Sequence, residues 1–241
     1  MAGQGGRKAA QTLPERIADE LGSAVARGEY LGGERLREQE VAERFGVSRG
    51  PAREAIRALA QRGLAEFTPR RGAFVVDLGI DGVIDLFNTR AVLLGLAARY
   101  FASMAALDAR ARLTKRIAAL EELGREPDAD PIRFAVAAGR IGSVIARHCG
   151  SPSLGRLIQT QIDSSAWGTI WRHEPIDFQT RERRLICAAD YQELHRAITR
   201  GEGAHAETVM RRILLRSQNS AVAVLSRARG EDYDERRLLI A

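Results

Sequence analysis

The sequence predicts a mostly helical protein, an N-terminal winged helix-turn-helix followed by an all-helical bundle. Three observations predict it. Short apolar stripes of helical period flank a Gly-Val-Ser corner at residues 46–48. Two extended pieces bracket Arg70-Arg71-Gly72. Beyond residue 77 the strand signals stop and long segments of helical period take over. A chain of 241 residues, 45% hydrophobic and 28% charged, has the balance of one or two globular domains. The expected organisation is a flexible tail over 1–11, a winged helix-turn-helix over 12–77, a helical domain over 78–230 and a charged, solvated tail over 231–241.

In chain order, Leu13, Ile17, Leu21 and Val25 recur every four residues and make a helix over 13–27, ended by the glycines at 28, 32 and 33. A short helix over 38–45 turns Val41 and Phe45 inward and stops at Gly46. Ser48 stands at the N-cap of the third helix; Pro51 has no N–H, so the serine oxygen is expected to serve the N–H of Gly50. Ala52, Ile56 and Leu59 form the inward stripe of that helix, and Arg49, Arg53 and Arg57 form a row about a quarter-turn away. After Gly63 the pieces LAEFTP and AFVVDL read as a β-hairpin with glycine in the turn. Ile84, Phe87, Ala91, Leu94, Ala98, Phe101 and Ala105 then mark one long amphipathic helix. Further helices are expected over 107–123, 132–149, 153–173, 178–200 and 204–228, punctuated by Pro127, Pro131, Pro152, Pro175 and Gly201.

The formal net charge of +6 favours a polyanionic partner, and its distribution is more telling. From Arg44 to Arg71 seven arginines face only Glu54 and Glu66, a local net of +5. Two cysteines, Cys149 and Cys187, with no CxxC give neither a disulfide framework nor a zinc cluster and fit a reducing cytoplasm. No segment approaches about 18 uninterrupted apolar residues and the start lacks an apolar core, so neither a membrane span nor secretion is expected. With no nucleophile–base constellation, metal set or phosphate loop, an enzyme is not expected and no cofactor is implied.

A helix that enters the major groove needs a short turn to aim it, small residues where its backbone approaches, and long donors for phosphates and guanine edges. Residues 45–60 supply all three. A solvated basic face is the alternative for an arginine row alone, but here the row occurs together with the Gly-Val-Ser turn, the cap and a basic hairpin tip. The residues expected to meet DNA are Gln39, Ser48, Arg49, Gly50, Pro51, Arg53, Arg57, Arg70, Arg71 and Gly72.

The run from about 13 to 77, with GERLREQEVAERFGVSRGPAREAIRALAQRGLAEFTPRRGAFV, resembles the DNA-binding domain of the GntR family of bacterial transcription regulators. That family's turn and recognition helix typically read Val-Ser-Arg-Thr-Pro-Val-Arg-Glu-Ala-Leu, and Val47, Ser48, Arg49, Pro51, Arg53, Glu54 and Ala55 coincide with it. Gly50 replaces the usual threonine and Ala52 the usual valine, which bears on operator preference. The family lays its glycine wing tip in the minor groove, as Arg70-Arg71-Gly72-Ala73 would allow. The helical remainder resembles the family's FCD-type effector domain of the FadR-like subfamily, a bundle of six or seven helices, with Arg90 at an arginine position and Gly150-Ser151-Pro152 at its Gly-Asn-Pro.

Many FCD domains bind a divalent metal through one aspartate and three histidines. Counting from Gly150-Ser151-Pro152 and from Gly201-Glu202, the resemblance puts those ligands at Ala138, Gly142, Tyr191 and Ile213, none of which is a usual ligand. A metal is therefore not expected. His148, His173, His195 and His205 read as surface or locally bonded residues. Arg90 beside the apolar stripe needs an anionic partner, either a protein carboxylate or a ligand. The expected effector site is accordingly Arg90 with Ala138, Gly142, Tyr191 and Ile213, for a small and possibly anionic molecule. Trp167 and Trp171, one turn apart beside Thr169, line either an apolar pocket or a core or dimer contact. The expectation is a cytoplasmic homodimer that binds an operator in double-stranded DNA, more often as a repressor, and responds to an effector. The alternative is an effector-blind DNA-binding protein whose helical domain only dimerises.

Overall fold

The computed structural model describes residues 11–26, 29–76, 79–163 and 175–239. Their contacts form two compact units that divide at the junction of residues 77 and 78. The first unit contains α1 (Leu13–Ala26), β1 (Arg35–Leu36), α2 (Glu38–Phe45), α3 (Arg49–Gln61), β2 (Ala65–Thr68) and β3 (Gly72–Val75). A reciprocal cap opens α1: the Thr12 hydroxyl accepts from the Glu15 N–H at 3.4 Å and the Glu15 carboxylate from the Thr12 N–H at 2.8 Å. Ile17, Leu21 and Val25 are buried as their stripe requires, while Leu13, the first residue of the helix, stays 48% exposed. These side chains share one core with Val41, Ala52, Ile56, Leu59, Ala73 and Val75, against which Phe45 packs half-buried.

The sheet is three-stranded and antiparallel in the order β1-β3-β2. Ala65 pairs with Val75 and Thr68 with Gly72, which is the expected hairpin. The added strand β1 pairs Arg35 with Phe74 and Leu36 with Ala73. Two residues are too few to show the alternation that marks a strand, so the sequence gives no sign of it. The turn also differs from expectation, because the left-handed backbone falls on Arg70 (φ 62°) as well as on Gly72 (φ 98°).

The second unit contains α4 (Ile80–Met104), α5 (Leu107–Arg125), α6 (Pro131–His148), α7 (Pro152–Asp163), α8 (Arg181–Thr199) and α9 (Gly203–Arg229). On α4 the expected stripe from Ile84 to Phe101 is fully buried and Ala105 caps the helix. Phe87 and Phe101 of α4, Leu120 of α5, and Phe134, Ile141 and Ile145 of α6 are among the fully enclosed side chains of this unit. Asp130 caps α6 by accepting the Ile132 N–H at 2.9 Å, with Pro131 in the first turn where its missing N–H costs nothing. The segment expected over 153–173 is described as far as Asp163; Trp167, Thr169, Trp171 and His173 lie outside the described residues.

The C-terminal stretch is not simply solvated. A 3-10 turn over Glu235–Arg237 docks on the start of α4. Asp81 accepts the Asp234 N–H at 3.0 Å, Asp85 accepts from Arg237 at 2.7 Å, and Asn88 donates to the Arg237 carbonyl at 2.7 Å. Tyr233 and Leu238 pack on Ile80, Ile84 and Val222, so apolar contacts hidden in a charged run hold it down. Among the described residues no helix is long and apolar enough to cross a membrane.

Candidate functional site

The turn between α2 and α3 is closed by Gly46, whose φ of 63° and ψ of 37° lie in the left-handed region. Its N–H returns to the carbonyls of Ala42 and Glu43, and the Val47 N–H follows to Ala42 at 3.0 Å. A side chain at Gly46 would be strained by about 1 kcal/mol, so glycine sets the angle at which α3 leaves the turn. Ser48 then occupies the N-cap position in extended backbone, but its hydroxyl makes no capping bond. The expectation that it serves Gly50 is corrected. Pro51 removes the donor that a capping serine commonly takes, and the exposed hydroxyl remains available for an outside acceptor. A Cβ at Gly50 would meet only the Ser48 hydroxyl, 4.0 Å away, so the first turn of α3 is open to close approach.

Arg49, Arg53 and Arg57 are all exposed on α3. Two of them are held from α2. Arg49 Nη2 donates to Gln39 Oε1 at 2.9 Å, and Gln39 Nε2 donates to Glu43 at 3.0 Å. Arg53 donates from Nε and Nη2 to the two carboxylate oxygens of Glu38 at 2.7 and 2.9 Å. The Arg53 guanidinium holds the Glu38 carboxyl below the usual glutamate range against an opposing desolvation, and Arg49 and Arg57 add lesser pulls in the same direction as Arg53.

On the wing, Arg70 and Arg71 are exposed and the Arg71 guanidinium lies 5.5 Å from the Phe74 ring centre. Keeping an arginine at φ 62° costs on the order of 1 kcal/mol, a strain that presents a cation at the tip. The guanidinium of Arg35 on β1 passes beside Gly72, where a Cβ would meet its Nε and Nη2 at 3.4 Å. Arg35 was not among the sequence candidates, nor was Glu38. Both depend on pairings that close only in three dimensions. Pro51, half-buried, completes the first turn of α3.

The helical unit places its five candidates in or beside one core. Arg90 is 6%, Ala138 8%, Tyr191 5% and Ile213 3% exposed, and Gly142 is buried against Leu94. Arg90, expected beside the apolar stripe, is thus deeply buried. Desolvation pulls its pKa down to about 10, with Tyr191 acting the other way. Burial pushes the Tyr191 hydroxyl far above its ordinary value; it donates to the Ala138 carbonyl at 3.4 Å. Cys187, one turn away on α8, is pushed up to about 12 by burial. Asp190 is bound by Arg216 at 2.6 Å and Arg212 at 3.2 Å and does not reach His195, whose Nε2 lies 2.8 Å from Thr114 Oγ1. His205 sits 3.2 Å from Glu193. Among the described residues no three of His, Cys, Asp and Glu stand together as a metal set. An open groove of about 650 Å³ between α5 and α8 is lined by Leu107, Arg110, Thr114, His195 and Arg200, none of them an expected effector residue.

Two family models match the chain: "Bacterial regulatory proteins, gntR family" over residues 13–75 and "FCD domain" over residues 85–216. The chain belongs to the GntR family and carries an FCD domain. A gntR-type winged helix followed by an FCD domain is the domain arrangement of transcriptional regulators of this family. Over 79 residues it is 35% identical to the HTH-type transcriptional regulator YdhC of Bacillus subtilis (strain 168), covering 33% of this chain and 35% of that one. Over 92 residues it is 33% identical to a protein of Paenarthrobacter nicotinovorans named "Probable D-xylose utilization operon transcriptional repressor", covering 38% and 41%. The chain thus spans about two fifths or less of these relatives' lengths. Its fold matches Lar of Listeria monocytogenes, described as controlling expression of the agr system, with TM-score 0.64, 20% identity and coverage of 90% and 100%. Escherichia coli McbR/YncC matches with TM-score 0.60, 17% identity and coverage of 91% and 99%.

Proposed function

We propose that this GntR-family chain is a cytoplasmic, dimeric repressor that binds a two-half-site operator through α3 and the wing and releases it on binding a small anionic effector without a metal. The observation that carries the DNA part is the exposed row Arg49, Arg53 and Arg57 beside an uncapped Ser48 hydroxyl and an open Gly50. Ser48 and the first-turn N–H groups would meet a phosphate at the positive end of α3. Gln39, Arg49 and Arg53 would face base edges or backbone, and Arg57 would follow the strand. Arg70, Arg71 and Gly72 would enter the minor groove. A single winged helix buries too little surface for tight specific binding, so two copies reading two half-sites are the economical arrangement.

The repressor reading draws on the name of the Paenarthrobacter relative. The effector reading rests on Arg90, a buried cation that acts on Tyr191, whose hydroxyl donates to Ala138, in a helical unit where Gly142 and Ile213 are also buried and where the described residues supply no metal set. Burial lowers the Arg90 pKa to about 10, and an anion entering beside Tyr191 would favour the charged guanidinium. Release then requires that the effector bind more tightly to an arrangement of the dimer in which the two α3 helices no longer fit the half-sites.

A gel shift with duplex from beside the chain's own coding region, with and without candidate carboxylates, tests both parts. The reading expects a shifted band that a carboxylate abolishes, with the R90A variant still shifting and no longer responding. A band unaffected by every ligand, with no ligand raising the melting temperature, would favour the effector-blind alternative. Absence of any band at low salt would remove the DNA reading.

A further inference from the structure

A carboxylate on a surface that meets a polyanion weakens binding unless it does something else there. Glu38 lies in the first turn of α2, where negative charge favours the helix start. Its side chain nevertheless reaches across the turn to Arg53, and Arg49 and Arg57 act on it as well, so it stands among the whole arginine row. The pair is 54% and 34% exposed, a setting in which ion pairs add little to stability.

The geometry points to orientation instead. A guanidinium carries five N–H donors in one plane. Glu38 occupies the Nε/Nη2 edge through two bonds of 2.7 and 2.9 Å. The Nη1/Nη2 end, whose two parallel N–H groups match O6 and N7 of guanine, is left clear of Glu38. Gln39 treats Arg49 in a similar way with a neutral group, its own amide oriented by Glu43.

We propose that Glu38 is a specificity-determining residue: it fixes Arg53 so that the end of the guanidinium reads a guanine in each half-site, making Arg53 a base reader rather than a phosphate contact. The inference rests on the DNA-binding reading above. Without Glu38 the arginine swings to the nearest phosphate, gaining contact with every sequence and losing discrimination. Glutamine at 38 keeps the length of the side chain and removes both the charge and the second acceptor.

The test is selection from a randomised duplex pool by the intact chain, by E38Q and by R53A, followed by salt titration on the duplex selected by the unaltered chain. The expected result is a guanine enriched at one position of each half-site by the unaltered chain. E38Q should lose about tenfold of that preference while its salt slope stays the same or steepens, and R53A should lose the preference altogether. Full guanine preference in E38Q with tighter binding to all duplexes would overturn the proposal, leaving Glu38 as simple repulsion. So would R53A lowering the salt slope by about one with every base preference intact. Selection of no motif by the unaltered chain would sink the DNA-binding reading itself, which keeps the two failures distinct. Equal melting temperatures for the three proteins show that folding is not the cause.

Discussion

In the first unit Arg53 stands in water, 54% exposed and paired with one carboxylate; in the second Arg184 is 2% exposed and directs its donors to the backbone. Arg184 reaches the carbonyls of Phe178 at 3.0 Å, Pro127 at 2.8 Å and Glu126 at 3.4 Å, tying the α5–α6 connection to the approach to α8. The same side chain is an exposed donor in one place and a tie in the other, and burial decides which. An exposed arginine keeps donors for an outside partner. Arg184, buried, spends its Nη donors inside the fold, and its loss leaves several acceptors stranded. Counting arginines along the chain therefore says little until each is placed.

That contrast is broken or sharpened first by R184A. It should lower the stability of the helical unit by about 3 kcal/mol or more, read by urea unfolding, because carbonyls that are costly to strand lose their donor. A loss of less than 1 kcal/mol would make Arg184 no more structural than Arg53. Next in size is G155A: a Cβ there would meet the Ala146 carbonyl at 2.9 Å, so α6 and α7 must shift, at about 1–3 kcal/mol in the same measurement. On the exposed side R49A should leave the melting temperature within a degree or two and weaken specific DNA binding by about 1–3 kcal/mol. A gel-shift titration checks it.

The smallest effects have opposite signs in the two units. Arg53 lowers the Glu38 pKa, so the pair adds stability above the ordinary glutamate value that is lost as pH falls through the lowered pKa. Burial raises the Asp177 pKa, despite its bond to Arg183 at 2.8 Å, so the folded state holds that proton longer than the unfolded chain. Stability at Asp177 is thus lost as pH rises from the ordinary aspartate value toward the raised one. Unfolding followed across pH 3–7 should show E38Q flattening the acid-side loss by no more than about 0.5 kcal/mol, since that pair is exposed. D177N should instead remove a decline with rising pH.

Local signals were legible where a period repeats. The helix over 38–45 was readable to the residue because Val41 and Phe45 point in and Gly46 ends it, and the α4 stripe was readable because it repeats over many turns. The three arginines of α3 could be set apart from Ala52, Ile56 and Leu59 by spacing alone. What escaped was set by partners distant in sequence. Strand β1 exists only because β3 lies beside Arg35 and Leu36. Glu38 meets Arg53 only after the Gly46 corner folds back. Arg184, in the charged run Arg181–Arg184, looks solvated until the carbonyls of residues 126 and 127 close over it.

The central claim is that the α3 arginine row meets duplex DNA, and retention of a randomised duplex pool at low ionic strength by the intact chain tests it most directly. The account predicts that the unaltered protein retains duplex, that retention falls steeply with added salt, and that the R49A/R53A double variant retains little while melting at the same temperature. Equal retention by the two proteins, or none by either, would contradict it.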